Sequence, residues 1–355
     1  MKTVTNTISP QTVFSLTGSR EWPASVGNKS TSLHIRGKFY ALAVLIALGL
    51  TSVPASADNF GTGANTFTID FVTIGNPGNG ADLGAGGGVY SSQHGAVAYT
   101  FRMGVYEISQ ADILKATASG LQHVTSGPWT GNQPATSIAW SEAAAFVNWL
   151  NVSTGHAPAY NLTYTGSWTP ALWSPAQAWQ VGGDNLFRNK DAYYFLPSDD
   201  EWIKAAYHKN DGATANYWDF PTASNTAPDG LDFAGDPNFD AVFDQGYDPN
   251  GPFDIANAGS RASAYGTFGQ GGNVYEWAET QTGGTNNAAL SGREFYGGFW
   301  AGYGMSSDST PGDYNYLDDA SFLGFRVAGV PEPSSAALLG LIGLWLAAAR
   351  RLRPR

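Results

Sequence analysis

The chain has 355 residues, enough for one large domain or two ordinary ones, and carries a formal net charge of −11, which argues against a nucleic-acid partner. It contains no cysteine, which excludes disulfides, thiolate metal sites and cysteine nucleophiles. Only 13% of residues are charged, while there are 44 glycines and 12 tryptophans, and this composition is typical of a loop-rich exported or surface domain.

The N-terminal 57 residues carry the pattern of a secretory signal. A basic stretch over 36–38 precedes an apolar run over 39–53, and small residues over 55–57 supply a cleavage pattern. Because about 15 apolar residues are short for a bilayer span, we expect export rather than a transmembrane anchor. We therefore predict that residues 1–57 are an N-terminal extension and signal peptide, cleaved after Ala57.

Strands are expected at the beginning of the exported part. Apolar residues alternate over 67–74 and again over 97–107, and the glycine-rich stretch 75–88 between them favours a turn. Two further segments, 293–304 and 322–328, are expected to be closing strands. We find no linker that would divide 58–330, so this range is predicted to be one domain.

Two short helices are expected to interrupt the strands. Ser141 is predicted to cap a helix that ends at Asn151. Ser198 can cap a second helix that extends to Lys209, since Glu201 at the third helical position would complete a capping box. From 210 to 272 the sequence has little periodicity, and a loop of that length needs packed rings or a metal to hold it.

The predicted domain is more acidic than the whole chain. Nine of the 18 Lys and Arg residues and 27 of the 29 Asp and Glu residues fall within 58–330, so its charge is near −18. This surplus repels phosphate and anionic lipid and favours calcium. Asp199 and Asp200 lie on the predicted first turn of the second helix, where carboxylates complement the helix dipole. Seven further aspartates between 229 and 254 indicate either a solvated acidic loop or one ordered by calcium.

The C-terminus combines a Pro-Glu-Pro triplet at 331–333, an apolar stretch over 334–349 and four arginines after it. This order resembles a PEP-CTERM sorting signal. The resemblance implies a triplet read by a membrane processing enzyme, a helix held in the inner membrane and a cytoplasmic arginine tail, and a basic cluster agrees with that orientation. The alternative is a plain membrane anchor. We predict that 331–355 is this signal and that the protein then reaches the cell envelope or the exterior.

Four motifs follow one another in the order of one known family. They are Gln133–Ala143 with Trp149, Phe195–Trp202, Gly272–Trp277, and Arg293 with Gly297 and Gly298, closed by Gly324–Arg326. Together they resemble the sulfatase-modifying factor family, also called formylglycine-generating enzymes. The resemblance implies an α+β fold, a loop-rich variant of the C-type lectin fold with little regular secondary structure.

The resemblance also bears on catalysis. Oxidases of that family bind copper through two cysteines, and here Gly302 and Ser307 stand at those positions. Neither residue offers the soft thiolate that copper(I) needs. The histidines are scattered along the chain without ligand spacing. We therefore expect no catalytic residues, no copper and a non-catalytic module that binds a glycan or protein. The alternatives are a formylglycine-generating oxidoreductase for sulfatase maturation or another enzyme with an atypical cysteine-free site, and, less strongly, a structural matrix protein.

Structural calcium is the family feature that the sequence retains best. By resemblance, a first site would take side-chain oxygens of Asn216 and Asp229 and main-chain carbonyls of Tyr217 and Leu231. Oxygen ligands on turn-rich backbone suit calcium. The alternative is that Asn216 and Asp229 are ordinary turn residues that bond their own backbone.

By the same resemblance, a second calcium site would take the carboxylate of Glu276 and the carbonyls of Gly272 and Val274. At Gly269 the family commonly has an Asn or Asp side chain, so this site has lost one ligand. For these three residues, the sequence does not decide between calcium binding and a purely structural role.

Overall fold

A computed structural model describes residues 56–82, 94–179, 185–243, 251–284, 286–302 and 311–331 of the chain. Within these ranges the chain forms thirteen short β-strands and three α-helices. In chain order they are β1 (Ser56–Phe60), β2 (Phe67–Ile74), β3 (Phe101–Gly104), α1 (Gln110–Ala118), α2 (Trp140–Ser153), β4 (Asn161–Tyr164), β5 (Trp168–Ala171), β6 (Ala178–Trp179), β7 (Asn185–Asn189), β8 (Tyr194–Phe195), α3 (Asp199–Tyr207), β9 (Tyr275–Gln281), β10 (Arg293–Tyr296), β11 (Gly312–Tyr314), β12 (Leu323–Gly324) and β13 (Ala328–Gly329).

The largest sheet has five antiparallel strands in the order β1-β2-β3-β13-β8. Side chains of β2 alternate between the two faces, and Phe67, Ile69 and Phe71 are buried on one of them. The predicted strand over 97–107 is shorter in the structure, because only β3 is paired. Ala57 pairs with Asp70 inside β1, so cleavage after Ala57 would remove the first two residues of this strand.

A second sheet has four strands in the order β11-β10-β9-β12, with β12 parallel to β9. In the described part of the predicted closing strand over 293–304, residues 293–302, only β10 is a strand, and the predicted strand over 322–328 divides into β12 and β13, which lie in different sheets. Two hairpin-like ribbons, β4 with β5 and β6 with β7, complete the strand pairing of the described residues.

The helices begin where local hydrogen bonds satisfy their first backbone amides. Ser198 and Glu201 form the predicted capping box at α3. For α2 the predicted cap is wrong: the Glu142 carboxylate accepts a hydrogen bond from the Ala139 amide at 3.0 Å, so the helix begins at Trp140 and Ser141 lies within its first turn. Helix α1, which was not expected from the sequence, begins with a capping box formed by Ser109 and Asp112.

The core lies between the sheets and α2 and contains both rings and charges. Three motif tryptophans, Trp140, Trp202 and Trp277, are fully buried, and the partly buried Trp149 packs against the rings of Phe67 and Phe146. Arg188 is also buried and bonds two buried carboxylates, Glu201 and Glu279. The core is therefore fixed by ring packing and by an internal ion network.

The long middle segment contains little regular structure, as the sequence predicts. In its described parts, 210–243 and 251–274, the regular structure is one short 3-10 turn over Ile255–Asn257 and isolated bridges. Among the described residues, none of the helices has the length and apolar character of a membrane span, and residues 332–355 of the predicted sorting signal lie outside these residues. The mixed α/β architecture with few helices and many loops confirms the expected fold class.

Candidate functional site

Gly302, the first of the two positions where the resemblance implies a cysteine, lies against an aromatic ring. A Cβ atom on Gly302 would come within 2.4 Å of Cε1 of Phe299. The Gly302 amide also donates to the Phe299 carbonyl at 3.0 Å, which holds this turn in place. A larger side chain at this position would have to displace the ring. Ser307, the second position, lies outside the described residues.

Five partly buried aromatic side chains, Phe299 among them, pack against the buried side chains of Val242, Val274 and Trp300, and we call these five the aromatic surface. They are Trp129, Phe239, Phe253, Phe299 and Phe322. Phe299 and Phe322 have ring centroids 5.0 Å apart, and Trp129 meets the buried ring of Trp300 edge to face at 5.2 Å. Packing of this kind restricts the orientation of the rings, and all five remain partly exposed.

The aromatic surface is tied together by hydrogen bonds between distant loops. Trp129 Nε1 donates to the Ser321 carbonyl at 3.1 Å, and Gln133 Nε2 donates to the Pro252 carbonyl at 2.7 Å. The Asn273 side chain accepts a hydrogen bond from the Phe253 amide at 2.9 Å. Four separate stretches of the chain therefore fix the geometry of the rings before any ligand binds.

An acidic loop runs beside the aromatic surface. Slight desolvation and the neighbouring carboxylates of Asp232, Asp236 and Asp240 raise the pKa of Asp229, although its side chain is exposed. The Asp229 carbonyl accepts from the Asp240 amide at 2.7 Å and closes the loop. Arg261 lies 3.7 Å from the Asp240 carboxylate and is half exposed, so it offsets only part of the negative charge.

The residues of the first predicted calcium site have the following partners. The Asn216 side chain donates to the Asp211 carboxylate at 2.8 Å, while Asp229 is bonded to Asp240. Tyr217 is buried, and its hydroxyl donates to the Gly95 carbonyl at 2.8 Å. Leu231 is buried. Asn216 and Asp229 thus belong to two different hydrogen-bonded turns. Both residues are exposed to solvent.

The second predicted group contains a carboxylate that is already paired. Glu276 is fully buried and accepts from Arg326 Nε at 2.6 Å and from Trp202 Nε1 at 2.7 Å. Gly272 and Val274 lie in the turn just before β9, and Val274 is fully buried. The side chain of Glu276 therefore faces the core, where its charge is neutralised by an arginine.

Gly269 occupies the position where the resemblance indicates a lost ligand, and its backbone approaches a buried acid. Its φ is +71°, and a Cβ atom there would lie 2.7 Å from Oε1 of Glu107. The missing side chain at position 269 is explained by this close approach: the space that a side chain would need is taken by the Glu107 carboxyl group.

The structure brings together one group that the sequence did not predict. His94 Nδ1 lies 2.9 Å from Asp199 Oδ2, and the Gly95 amide donates to Asp200 Oδ1 at 2.6 Å. Hydrogen bonding to Asp199 raises the pKa of His94. Burial, and then the neighbouring carboxylate of Asp199, raises the pKa of Asp200 to about 7. The sequence separates His94 from the two aspartates by more than a hundred residues, so spacing carries no signal for this group.

Comparisons with known proteins agree with this architecture. Residues 75–330 match the family model described as the sulfatase-modifying factor enzyme 1-like domain. Among solved structures, Treponema denticola variable protein 1 is similar with a TM-score of 0.53 at 19% identity, over 78% of this chain and 99% of that chain. CarF is similar with a TM-score of 0.49 at 19% identity, over 74% of this chain and 99% of that chain. PvdO from Pseudomonas aeruginosa is similar with a TM-score of 0.45 at 15% identity, over 77% of this chain and 98% of that chain. At these identities the likeness concerns the fold alone, and no curated protein sequence matches.

Proposed function

Because this chain belongs to the sulfatase-modifying factor enzyme 1-like family, we propose that it is a non-catalytic member that binds a ligand through its aromatic surface. The observation that carries the proposal is the site beside Gly302. There the ring of Phe299 takes the place that a metal-binding side chain would need, and Phe299 belongs to a group of partly exposed rings packed against Val242, Val274 and Trp300. An oxidase of the implied type requires thiolates, which a chain without cysteine lacks.

The chemistry of the surface favours a neutral glycan as its ligand. Aromatic faces carry partial negative charge and attract the C–H edges of a sugar ring, and neighbouring carboxylates can accept hydrogen bonds from hydroxyl groups. The acidic loop from Asp229 to Asp240 lies beside the rings and repels anionic ligands. A protein partner would need a larger contact area, and it is an alternative outcome of the same experiment.

A glycan array followed by titration tests this proposal. We expect the Trp129→Ala variant to lose at least about tenfold in affinity, since central aromatic residues dominate such interfaces. Trp168→Ala is the matched control, because Trp168 lies on the β4–β5 ribbon, where its Nε1 donates to the His123 carbonyl. Equal losses in both variants would contradict the proposed surface. Copper-dependent oxidation of a cysteine peptide by the purified protein would overturn the non-catalytic assignment.

We further propose that calcium orders the acidic loop at the first predicted site, formed by Asn216, Tyr217, Asp229 and Leu231. Support comes from the crowding of carboxylates around Asp229, whose mutual repulsion a divalent cation would relieve. We do not extend this proposal to Glu276, since calcium there would have to displace Arg326.

A thermal melt tests the calcium proposal directly. Calcium should raise the melting temperature of the wild-type protein, and a chelator should lower it. Asp229→Asn should abolish the shift, whereas Asp191→Asn, at an exposed aspartate that pairs with Lys190, should preserve it. A wild-type melting temperature that changes with neither calcium nor chelator would rule out the site.

Export and envelope sorting complete the proposed function. Their support is the sequence alone: the apolar run over 39–53 with small residues after it, and the Pro-Glu-Pro, apolar and arginine order over 331–355. Cell fractionation with an epitope placed in 58–330 tests both signals. The epitope should be found outside the cytoplasm, and deletion of 331–355 should change its distribution between the membrane and the medium.

A further inference from the structure

His94 lies beside two aspartates in the first turn of α3, Asp199 and Asp200. Together the three side chains offer one imidazole and two carboxylates, which are common metal ligands. One ligand atom each from His94, Asp199 and Asp200 lies within 4.8 Å of the other two. His94 Nδ1 and Asp199 Oδ2 are already 2.9 Å apart. In a tetrahedral zinc site with ligands at about 2.1 Å, neighbouring ligand atoms are about 3.4 Å apart, so small side-chain rotations would bring all three into range.

The two aspartates are held in place by bonds to their other oxygens or backbone. Asp199 Oδ1 accepts from the Thr280 hydroxyl at 2.9 Å, and the Asp199 amide donates to the same hydroxyl at 2.9 Å. Asp200 Oδ1 accepts from the Gly95 amide, which follows His94 in the chain. Partners of this kind orient the ligands of natural metal sites and reduce the cost of assembling them.

The charge around the group also favours a cation. Asp199 is only 7% exposed, and Glu294 on β10 is close enough to raise the pKa of His94 further. The charged side chains with the largest effect on the pKa of Asp200 are Asp199, His94 and Glu201, and none of these three is a Lys or Arg. All nine Lys and Arg residues of 58–330 fall within the described ranges, so a missing partner cannot lie in the rest of that range. One imidazole thus faces several carboxylates of low exposure, an arrangement that is costly without a compensating cation.

We propose that His94, Asp199 and Asp200 bind a first-row divalent cation, with zinc as the preferred ion. An imidazole nitrogen suits zinc and disfavours calcium, which takes oxygen ligands. Binding releases the proton shared by His94 and Asp199 to solvent. Three protein ligands leave one position for water or for a ligand atom. The His94 side chain is 34% exposed, which gives an ion access from solvent.

Calorimetric titration of the purified full chain with zinc chloride tests the proposal. We expect one saturable site, with affinity reduced at least about tenfold in His94→Ala and in the near-isosteric Asp200→Asn. His156→Ala is the matched control, because His156 is exposed and stacks on Tyr193 away from this group. Cobalt(II) in place of zinc should give the intense visible spectrum of a tetrahedral ion in the wild type and in His156→Ala only.

Two results would overturn the proposal. One is the lack of a saturable site in the wild-type protein. The other is zinc binding that His156→Ala weakens as much as His94→Ala does, which would indicate adventitious surface histidines. Circular dichroism of each variant, compared with the wild type, verifies folding, and Asp200→Asn keeps the test decisive if His94→Ala is unstable. The aromatic surface and the calcium proposal are independent of either outcome.

Discussion

Glu107 provides the sharpest test of the electrostatics, because it is a buried acid with too few partners. Its Oε1 accepts from Asn273 Nδ2 at 2.9 Å, while Oε2 has no hydrogen-bond partner among the described residues. The nearby Arg326 is bonded to Glu276 through two of its nitrogens. Burial therefore dominates, and it raises the pKa of Glu107 to about 8 from an ordinary value near 4.5.

This pKa makes the stability of the protein fall with rising pH. Below about 4.5 the carboxyl group is protonated in the folded and in the unfolded chain. Between 4.5 and about 8 the unfolded chain loses this proton while the folded protein keeps it, so the free energy of unfolding falls by up to about 1.4 kcal/mol per pH unit. Over that whole interval the loss approaches roughly 5 kcal/mol, an upper bound because local relaxation can solvate the ionised group.

The Glu107→Gln variant should remove this dependence. Glutamine keeps the acceptor for Asn273 and stays neutral at every pH. Urea unfolding of both proteins from pH 5 to pH 9 should give similar stabilities at pH 5 and a variant that is several kcal/mol more stable at pH 9. Glu107→Met removes both the charge and the acceptor. Its stability should depend on pH as little as that of Glu107→Gln, but it should be lower than that of Glu107→Gln at every pH. Parallel pH curves for wild type and Glu107→Gln would refute the reasoning.

Two further substitutions probe the core and one turn. Arg188→Met leaves Glu201 and Glu279 buried without their arginine, so we expect urea unfolding to show a loss of about 3–5 kcal/mol; a loss below about 1 kcal/mol would contradict the ion network. Gly269→Ala adds a clash with a buried carboxyl group to the strain of a positive φ. It should therefore lower the melting temperature more than Gly131→Ala, where φ is +62° but the space is open, and equal effects would contradict the contact.

Much of the fold could be predicted because its signals are local. The capping box at α3 uses residues three positions apart, and the same spacing of Ser109 and Asp112 in the sequence marks the start of α1. At α2 the prediction placed the cap at Ser141, yet the Glu142 carboxylate reaches back to the Ala139 amide. At this helix start only the glutamate side chain takes part, because Ala139 has no side-chain acceptor. Without Ser, Thr, Asp or Asn at the N-cap, the sequence does not mark where the helix begins.

The candidate sites divide along a similar line. The aromatic surface could be suspected from the number of rings, but its assembly joins stretches that are up to about two hundred residues apart, such as Trp129 and Ser321. The calcium ligands predicted by resemblance stay predictions. The interpretation of Asp199 and Asp200 as helix-dipole partners was incomplete, because it could not include a histidine from a distant part of the chain.

The sequence by itself determined the position of α3 and the lack of any thiolate, and its resemblance to a known family implied the fold class. The position of α3 follows from capping at short spacing, and the lack of thiolates follows from composition. Only the tertiary structure decided that Glu276 is paired with Arg326, that Phe299 packs against Gly302 and that His94 meets two aspartates. The physical reason is that the partner of a buried charge or ring is set by where distant segments meet, and neither residue type nor spacing encodes that meeting.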